Sequence, residues 1–438
     1  RAQRRDISGG VGTLKCRTPI LEAERCHMKG PQEPNKPLDG VNVLDFCWVA
    51  VGPMTTKYLG EYGATVVRVE SVKRPGTLRR GAPFKDGIAG LNRSAYFASY
   101  NANKMGITVD MRHPRARDLM LRMAKWAHLV TENFTPGTME SWELGFEQLK
   151  KVNPAIVLFS TSMMGRGGPM ERQPGFGPVL SSLVGLTNLT GWPDRDPVNP
   201  YGAYTDFIVP RFAVAAILAG LDRSRRTGEG IHIDMSQLET TLHFSAPVLL
   251  DYAVNGREQT RVGNRDPGAA PHGVYPCAGD DRWLALGCFT DVQWEGLQKT
   301  IAPDGNGWPY KPDFDTLLGR KANEDELDGL LSNWTSSWEV GALMETLQSS
   351  GVPAGMVNDC RDLFDDAQLQ YRGHFQWLDH PEIGPYATDR SEMNFSVSPG
   401  SLDTPAPLLG EHTSYVLKDL IGLTDEEYQS LEEDGVLE

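Results

Sequence analysis

Residues 41–70 read as strand, helix, strand, and this unit restricts the fold more than any other feature of the sequence. Residues 41–46 (VNVLDF) are a short apolar run. Residues 52–63 read as a helix ended by glycine, and 64–70 (ATVVRVE) as a second strand. Two strands joined by one helix within about 30 residues pair in parallel with a right-handed crossover. The alternation then continues. A helix with proline at its first position is expected from Pro114 to about Ala127, followed by strands at 129–134 and 155–161. Residues 178–191 read as helix and 207–226 as a long helix closed by Thr227-Gly228. A strand at 231–235 precedes a second long helix, capped by Ser236 and running to about Asn255. The expected class is α/β with a doubly wound, Rossmann-like parallel sheet.

Two regions fall outside this pattern. Residues 1–36 show no sustained hydrophobic period and read as an extension or linker. After Asn255 the chain turns rich in Gly, Pro and Arg, and about 258–370 reads as a smaller second domain with a strand at 283–287. The last segment, 371–438, ends in a Leu/Glu-rich helical pattern.

Charge narrows the function classes. The net charge is −14, which argues against a general binder of nucleic acid or anionic membranes. Eight basic and four acidic residues give 1–36 a net +4, so the remainder carries −18. Against that background Arg68, Lys73, Arg74, Arg79 and Arg80 stand out. They follow the second strand, where open α/β sheets bind ligands. Such a cluster is either a solvated basic loop or the rim of an anion pocket. No run of 18 apolar residues occurs, and the N-terminus lacks the core and cleavage site of a secretory signal. Cys16, Cys26, Cys47, Cys277, Cys288 and Cys360 show neither CxxC spacing nor disulfide-scaffold density, and read as reduced thiols of a cytoplasmic protein.

The motif search removes several chemistries. There is no GxxxxGK(S/T), no GxSxG and no HExxH, and the nine histidines form no ligand-spaced pair, so no metal site is expected. Residues 165–168 (GRGG) lack the further glycine of a dinucleotide fingerprint. Residues 49–53 (VAVGP) form a strand-to-helix turn whose backbone N–H groups suit a ligand phosphate or carbonyl. Asp206, in 201–211 (YGAYTDFIVPR), directly precedes the long apolar helix. It reads either as an N-cap or as a nucleophilic carboxylate that a helix N-terminus keeps ionised.

Several segments together resemble the class III CoA-transferases, a family that includes formyl-CoA transferases, carnitine CoA-transferase and α-methylacyl-CoA racemases. They are 37–46 (PLDGVNVLDF), 63–70 (GATVVRVE), 103–110 (NKMGITVD), 132–137 (ENFTPG), 226–230 (RTGEG), 351–355 (GVPAG) and 407–412 (PLLGEH). The similarity runs from 37 to 438. It implies an interlocked homodimer. The large CoA-binding Rossmann-like domain would comprise 37–257 plus the returning segment 371–438, with the small domain at 258–370. It makes Asp206 the catalytic carboxylate, passing through an acyl-aspartyl anhydride and an aspartyl-CoA thioester. Contacts to CoA fall on Ala50, Val51, Val109, Arg112, Asn133 and Phe134. CoA enters as substrate, with no tightly bound cofactor implied.

The chain departs from formyl-CoA transferases at Ala50, which replaces Gln, at Ser71, which replaces Arg, and near Ser141, where another Arg is missing. Lys73 and Arg74, with Arg80, are the expected substitutes in gripping phosphates. Nothing in 256–330 matches the glycine-rich loop of those enzymes, so oxalate is not the expected acceptor. Residues 165–205 contain no histidine, which disfavours the racemase branch because that chemistry needs a second base. The segments around 132–145 and 202–211 look most like succinyl-CoA-dependent transferases of benzylsuccinate and related dicarboxylates. Trp48, Phe176, Tyr201 and Tyr204 are the expected walls of an aromatic-acid pocket. The rival readings are a racemase and a non-catalytic CoA-binding subunit of a heteromer paired with a paralogue.

Overall fold

The computed structural model describes residues 36–438. The expected extension therefore lies outside the described residues except for Lys36, whose ammonium bonds Ser401 and Asp403 at 2.6 and 2.8 Å.

The strands β1 (Asn42–Asp45), β2 (Thr65–Glu70), β3 (Lys104–Thr108), β4 (Leu129–Glu132), β5 (Val157–Ser162) and β6 (Ile231–Ser236) form one parallel sheet. Their order is β3-β2-β1-β4-β5-β6. Chain direction across the sheet reverses between β1 and β4, which opens a crevice beyond the strand ends there. Both faces are covered, so the strands read as continuous apolar runs rather than alternating ones. Leu44, Val67 and Val130 face one side, against Met120 and Met123. Val43, Val66 and Leu129 face the other, against Ala213 and Ile217.

The helices up to residue 255 are α1 (Val51–Glu61), α2 (Ala95–Asn101), α3 (Ala116–Trp126), α4 (Thr138–Ser141), α5 (Phe146–Val152), α6 (Gly177–Leu183), α7 (Leu186–Leu189), α8 (Tyr204–Thr227), α9 (Gln237–Leu242) and α10 (Ala246–Asn255). Three expectations need correction. First, β3 is a strand that apolar patterning misses, because KMGIT breaks its run with Lys and Gly. A Cβ at Gly106 would stand 3.0 Å from the Pro407 ring, a tight contact that glycine avoids. Second, the helices expected at 178–191 and 236–255 are each broken. The first breaks at Gly185 (φ +83°). The second breaks at a tight turn before α10, which starts with proline in its first turn. Ser236 does cap α9, accepting the Glu239 N–H at 3.2 Å. Third, Asp206 does not precede the long helix. It sits inside the first turn of α8, whose N-cap is Ala203.

The 24-residue α8 is long and apolar enough to cross a membrane by length and composition alone. In the fold it is a partly buried core helix, with Ala213 and Ile217 packed on Val157 and Phe159. Beyond α10, β7 (His272–Pro276), β8 (Trp283–Gly287) and β9 (Ala354–Met356) form an antiparallel sheet. Tyr275, Leu284, Trp294, Phe314 and Leu343 belong to its own apolar cluster. A hairpin of β10 (Phe375–His380) and β11 (Gly384–Asp389) packs Leu378 and Tyr386 on Leu78 and Phe97. Val416, Leu417, Leu431 and Val436 return to the sheet, joining the cluster of Leu44 and Met120.

Candidate active site

The site is built at the carboxyl ends of β1, β4, β5 and β6. The turn leaving β1 is held from three sides. Asp45 Oδ1 accepts the Cys47 N–H at 2.9 Å, and Arg68 donates to the Cys47 carbonyl at 2.6 Å. Asn133, just after β4, closes the third side: its amide accepts the Trp48 N–H at 2.7 Å and donates to the Trp48 carbonyl at 2.6 Å. Pinned in this way, Val49 adopts φ +57°, a left-handed conformation that a β-branched residue rarely takes. Strain of this kind costs about 1–3 kcal/mol and clusters at functional sites. Gly52 is obligatory beside it, since a Cβ would overlap Cys47 at 2.3 Å. No side chain caps α1, which starts directly after the turn.

A cavity of about 270 Å³ opens above this turn. Trp48, Ala50, Val51, Asn133 and Phe134 line one side, and Ser162, Phe176, Asp206 and Gln237 the other. Among the described residues that line it there is no lysine, arginine or histidine. Asp206 is 9% exposed. Burial, with no compensating cation, pushes its carboxyl up to about 6. Burial thus opposes the helix N-terminus, which favours the ionised form. Pro210, one turn on, lacks the N–H that would otherwise bond the Asp206 carbonyl.

A second cavity of about 250 Å³ adjoins the first and shares Trp48 and Phe134 as walls. Its floor is apolar, with Phe46, Val69, Val109 and Trp142, while Arg74 and Arg112 stand at its edge. Phe134 meets Trp142 edge-on at 5.3 Å and Trp48 at 5.9 Å. Glu132 fixes Phe134 by accepting its N–H at 2.8 Å. Together the cavities form a track with a carboxylate at one end, aromatic walls midway and guanidinium groups at the other.

The basic stretch divides in the structure. Arg68 and Arg79 are fully buried and structural. Arg79 makes a forked pair with Glu70 at 2.8–3.1 Å and lies over the Phe97 ring at 3.6 Å. Lys73 lines neither cavity and is paired with Glu438 at 2.9 Å and Asp110 at 3.5 Å. Arg80 is exposed and also lines neither. Arg112 is half-exposed and bonded to Asp110 at 3.1 Å. Both amide atoms of Asn133 are engaged by Trp48, so this side chain positions the turn. Of the expected aromatic walls, Trp48 and Phe176 line the first cavity. Tyr201 and Tyr204 do not, and Tyr201 is 95% exposed.

Ser162 and Gln237 were not singled out by sequence reasoning. Their signal was positional: each stands where a strand of the parallel sheet ends at its carboxyl edge.

Comparison with known proteins agrees with this architecture. A model of CoA-transferase family III matches residues 38–413. The chain is 29% identical over 411 residues to the succinyl-CoA–D-citramalate CoA-transferase of Chloroflexus aurantiacus, covering 93% of this chain and 99% of that one. It is 31% identical over 410 residues to the succinyl-CoA:glutarate CoA-transferase of Mus musculus, covering 92% and 91% of the two chains. The crystal structure of a CAIB/BAIF family protein from Brucella suis matches with a TM-score of 0.80 at 30% identity, over 88% of this chain and 100% of that one. Because family motif, full-length similarity and three-dimensional fold coincide, this chain belongs to CoA-transferase family III and is an enzyme acting on acyl-CoA substrates.

Proposed function

We propose that the protein moves CoA from succinyl-CoA to a dicarboxylic acid by covalent catalysis at Asp206. The observation that carries this reading is a buried carboxylate with no cation beside it, at one end of a track whose other end holds Arg74 and Arg112. The relatives named for succinyl-CoA with citramalate and with glutarate support the choice of donor and acceptor class.

In this mechanism an Asp206 oxygen attacks the acyl carbon of the thioester. The C–S bond breaks and its electron pair leaves with CoA as thiolate, giving an acyl-aspartyl anhydride. The thiolate then attacks the Asp206 carbonyl carbon and releases the donor acid, leaving an aspartyl-CoA thioester. The acceptor carboxylate attacks that thioester and expels the CoA thiolate, giving a second mixed anhydride. The thiolate then attacks the acceptor's acyl carbon, forming the new CoA thioester and freeing the Asp206 carboxylate. Each stage exchanges bonds of similar energy, so the task of the site is to exclude water from the anhydride.

For the rest of CoA we assign the phosphates to Arg74 and Arg112 and the adenine to the Phe134 side of the second cavity. The backbone at Ala50 and Val51 approaches the thioester. Lys73 and Arg80 are left without a part in this assignment. We further propose that a second copy of the chain covers Phe212, Leu249, Leu250 and Tyr252, large apolar residues that are 42–61% exposed on α8 and α10. The implied arrangement is the interlocked dimer.

Trp48, Phe134 and Phe176 in the wall favour a second acceptor class, dicarboxylic acids bearing an aryl group such as benzylsuccinate. The test is CoA exchange from succinyl-CoA across a panel of aliphatic and aryl dicarboxylic acids, read by mass spectrometry. Hydroxylamine added during turnover should yield a hydroxamate on Asp206. Full exchange by Asp206→Ala would overturn the covalent route.

A further inference from the structure

We propose that Gln237, assisted by Ser162, is the hydrogen-bond donor that holds the oxygen of the acyl carbonyl as it becomes an oxyanion. The proposal rests on the covalent reading of Asp206 and adds the group that stabilises its first step.

The two residues are built together. Ser162 ends β5 and is paired in register with Ser236, the last residue of β6, so Gln237 stands one residue beyond that pair. The Leu238 N–H donates to the Met163 carbonyl at 2.9 Å, tying the start of α9 to the end of β5. Both residues line the cavity that holds Asp206. Gln237 is 6% exposed. Its backbone carbonyl accepts the Thr241 hydroxyl at 2.8 Å, while its side-chain amide has no partner among the described residues and lines the cavity instead of being sealed in the core. The Ser162 hydroxyl is buried and likewise has no partner among the described residues. Folded chains rarely leave a buried hydroxyl such as that of Ser162 unpaired, and one that remains calls for a functional explanation.

The chemistry of the cavity explains why the donors are neutral. When Asp206 attacks, the carbonyl π pair moves onto oxygen as the new C–O bond forms. It returns when the C–S bond breaks and CoA leaves as thiolate. No proton moves in this step, so the oxygen needs donors rather than an acid. A lysine or arginine could serve, but it would also pair with Asp206 and blunt the nucleophile. An amide and a hydroxyl stabilise the oxyanion without neutralising the attacking group. Glu171, also in the wall, is occupied by the Gly167 N–H at 2.8 Å.

The experiment compares wild type, Gln237→Met, Gln237→Glu, Ser162→Ala and Asp206→Ala in steady-state CoA transfer from succinyl-CoA to a dicarboxylic acceptor such as glutarate, and in binding of free CoA. Gln237→Met keeps length and removes the donor; Gln237→Glu keeps shape and replaces the donor with an acceptor. The expected result is a fall in kcat of about 10²-fold for both Gln237 variants and a smaller fall for Ser162→Ala. KM for succinyl-CoA and Kd for free CoA should stay within about twofold of wild type, because the donors act on the transition state. Three results overturn the proposal. They are an unchanged kcat in both Gln237 variants, a rise confined to the acceptor KM, which would make Gln237 a carboxylate-binding group, and a weakened Kd for CoA that accounts for the whole loss. If Asp206→Ala retains exchange, the covalent reading fails and this assignment falls with it. If exchange depends on Asp206 but not on Gln237, only this assignment falls.

Discussion

The side-chain amide of Asn133 and the backbone of Trp48 exchange two hydrogen bonds, at 2.6 and 2.7 Å, across the point where β1 and β4 diverge. This clamp closes the reversal in strand order on which the candidate site is built. Asn133→Leu removes both bonds and leaves the Trp48 N–H and carbonyl unpaired. It should destabilise the fold by about 1–3 kcal/mol. KM for succinyl-CoA should rise with it, because Trp48 is a wall of both cavities. Denaturant melts and steady-state kinetics on the same preparation test the pair of effects.

Val49 makes the opposite kind of prediction. Its φ of +57° is strained for a β-branched side chain and free of strain for glycine. Val49→Gly should raise stability by about 1 kcal/mol, the relief of strain outweighing the greater chain entropy of glycine. The gain should vanish when the same change is made in Asn133→Leu, where the turn is no longer held. A double-mutant cycle of unfolding free energies measures that coupling.

Asp206 links stability to pH in a direction that burial dictates. Its folded value of about 6 lies above its ordinary 3.8, so the folded state favours the protonated form. Relative to an uncharged replacement, the wild type loses no stability below about pH 3, and the loss builds as pH rises from about 4 to about 6. Asp206→Asn should therefore be more stable at pH 8 by up to ~3 kcal/mol, with no difference below about pH 3. Activity runs the other way: kcat of the wild type should fall about tenfold per pH unit below an apparent value near 6, since the nucleophile must be ionised. Melts from about pH 3 to 8 and rates across about pH 4 to 8 test both limbs.

Arg79 and Arg80 are neighbours with unrelated roles. Arg79→Met removes the forked partner of the buried Glu70 carboxylate and leaves it only the looser contact with Arg68 at 3.6 Å, which should cost about 3 kcal/mol. Arg80→Ala should change stability by no more than ~0.5 kcal/mol and leave KM for succinyl-CoA unaltered. Arg74→Ala, by contrast, should raise that KM roughly tenfold, more at low salt than at high. Thermal melts separate the first two variants, and a salt series of KM values identifies the third.

Much of the site could be read from the chain because it follows from local order. Strand–helix–strand alternation with apolar strands leaves a parallel sheet as the solution, and in such a sheet the loops after the strands must meet at one edge. Asp206, Ala50, Val51 and Phe134 were legible for that reason, together with the resemblance their segments carry. Asn133 was legible as a site residue but not in its role, because which atoms its amide meets depends on how β1 and β4 stand side by side.

What the sequence by itself determined is five of the six strands of the sheet, the positions of their loops and the residue types offered at its carboxyl edge, since these depend on hydrophobic period and turn chemistry. Tertiary structure alone decided which charges reach a ligand. Five cations within 13 residues look equivalent in the chain. Packing buries Arg68 and Arg79 against Glu70, pairs Lys73 with Glu438, turns Arg80 to solvent and leaves Arg74 at a cavity. The same holds for Asp206, which by its place near a helix start read either as an N-cap or as a nucleophilic carboxylate. Its ionisation is decided by how much water the surrounding elements exclude, a property of the assembled fold rather than of any segment.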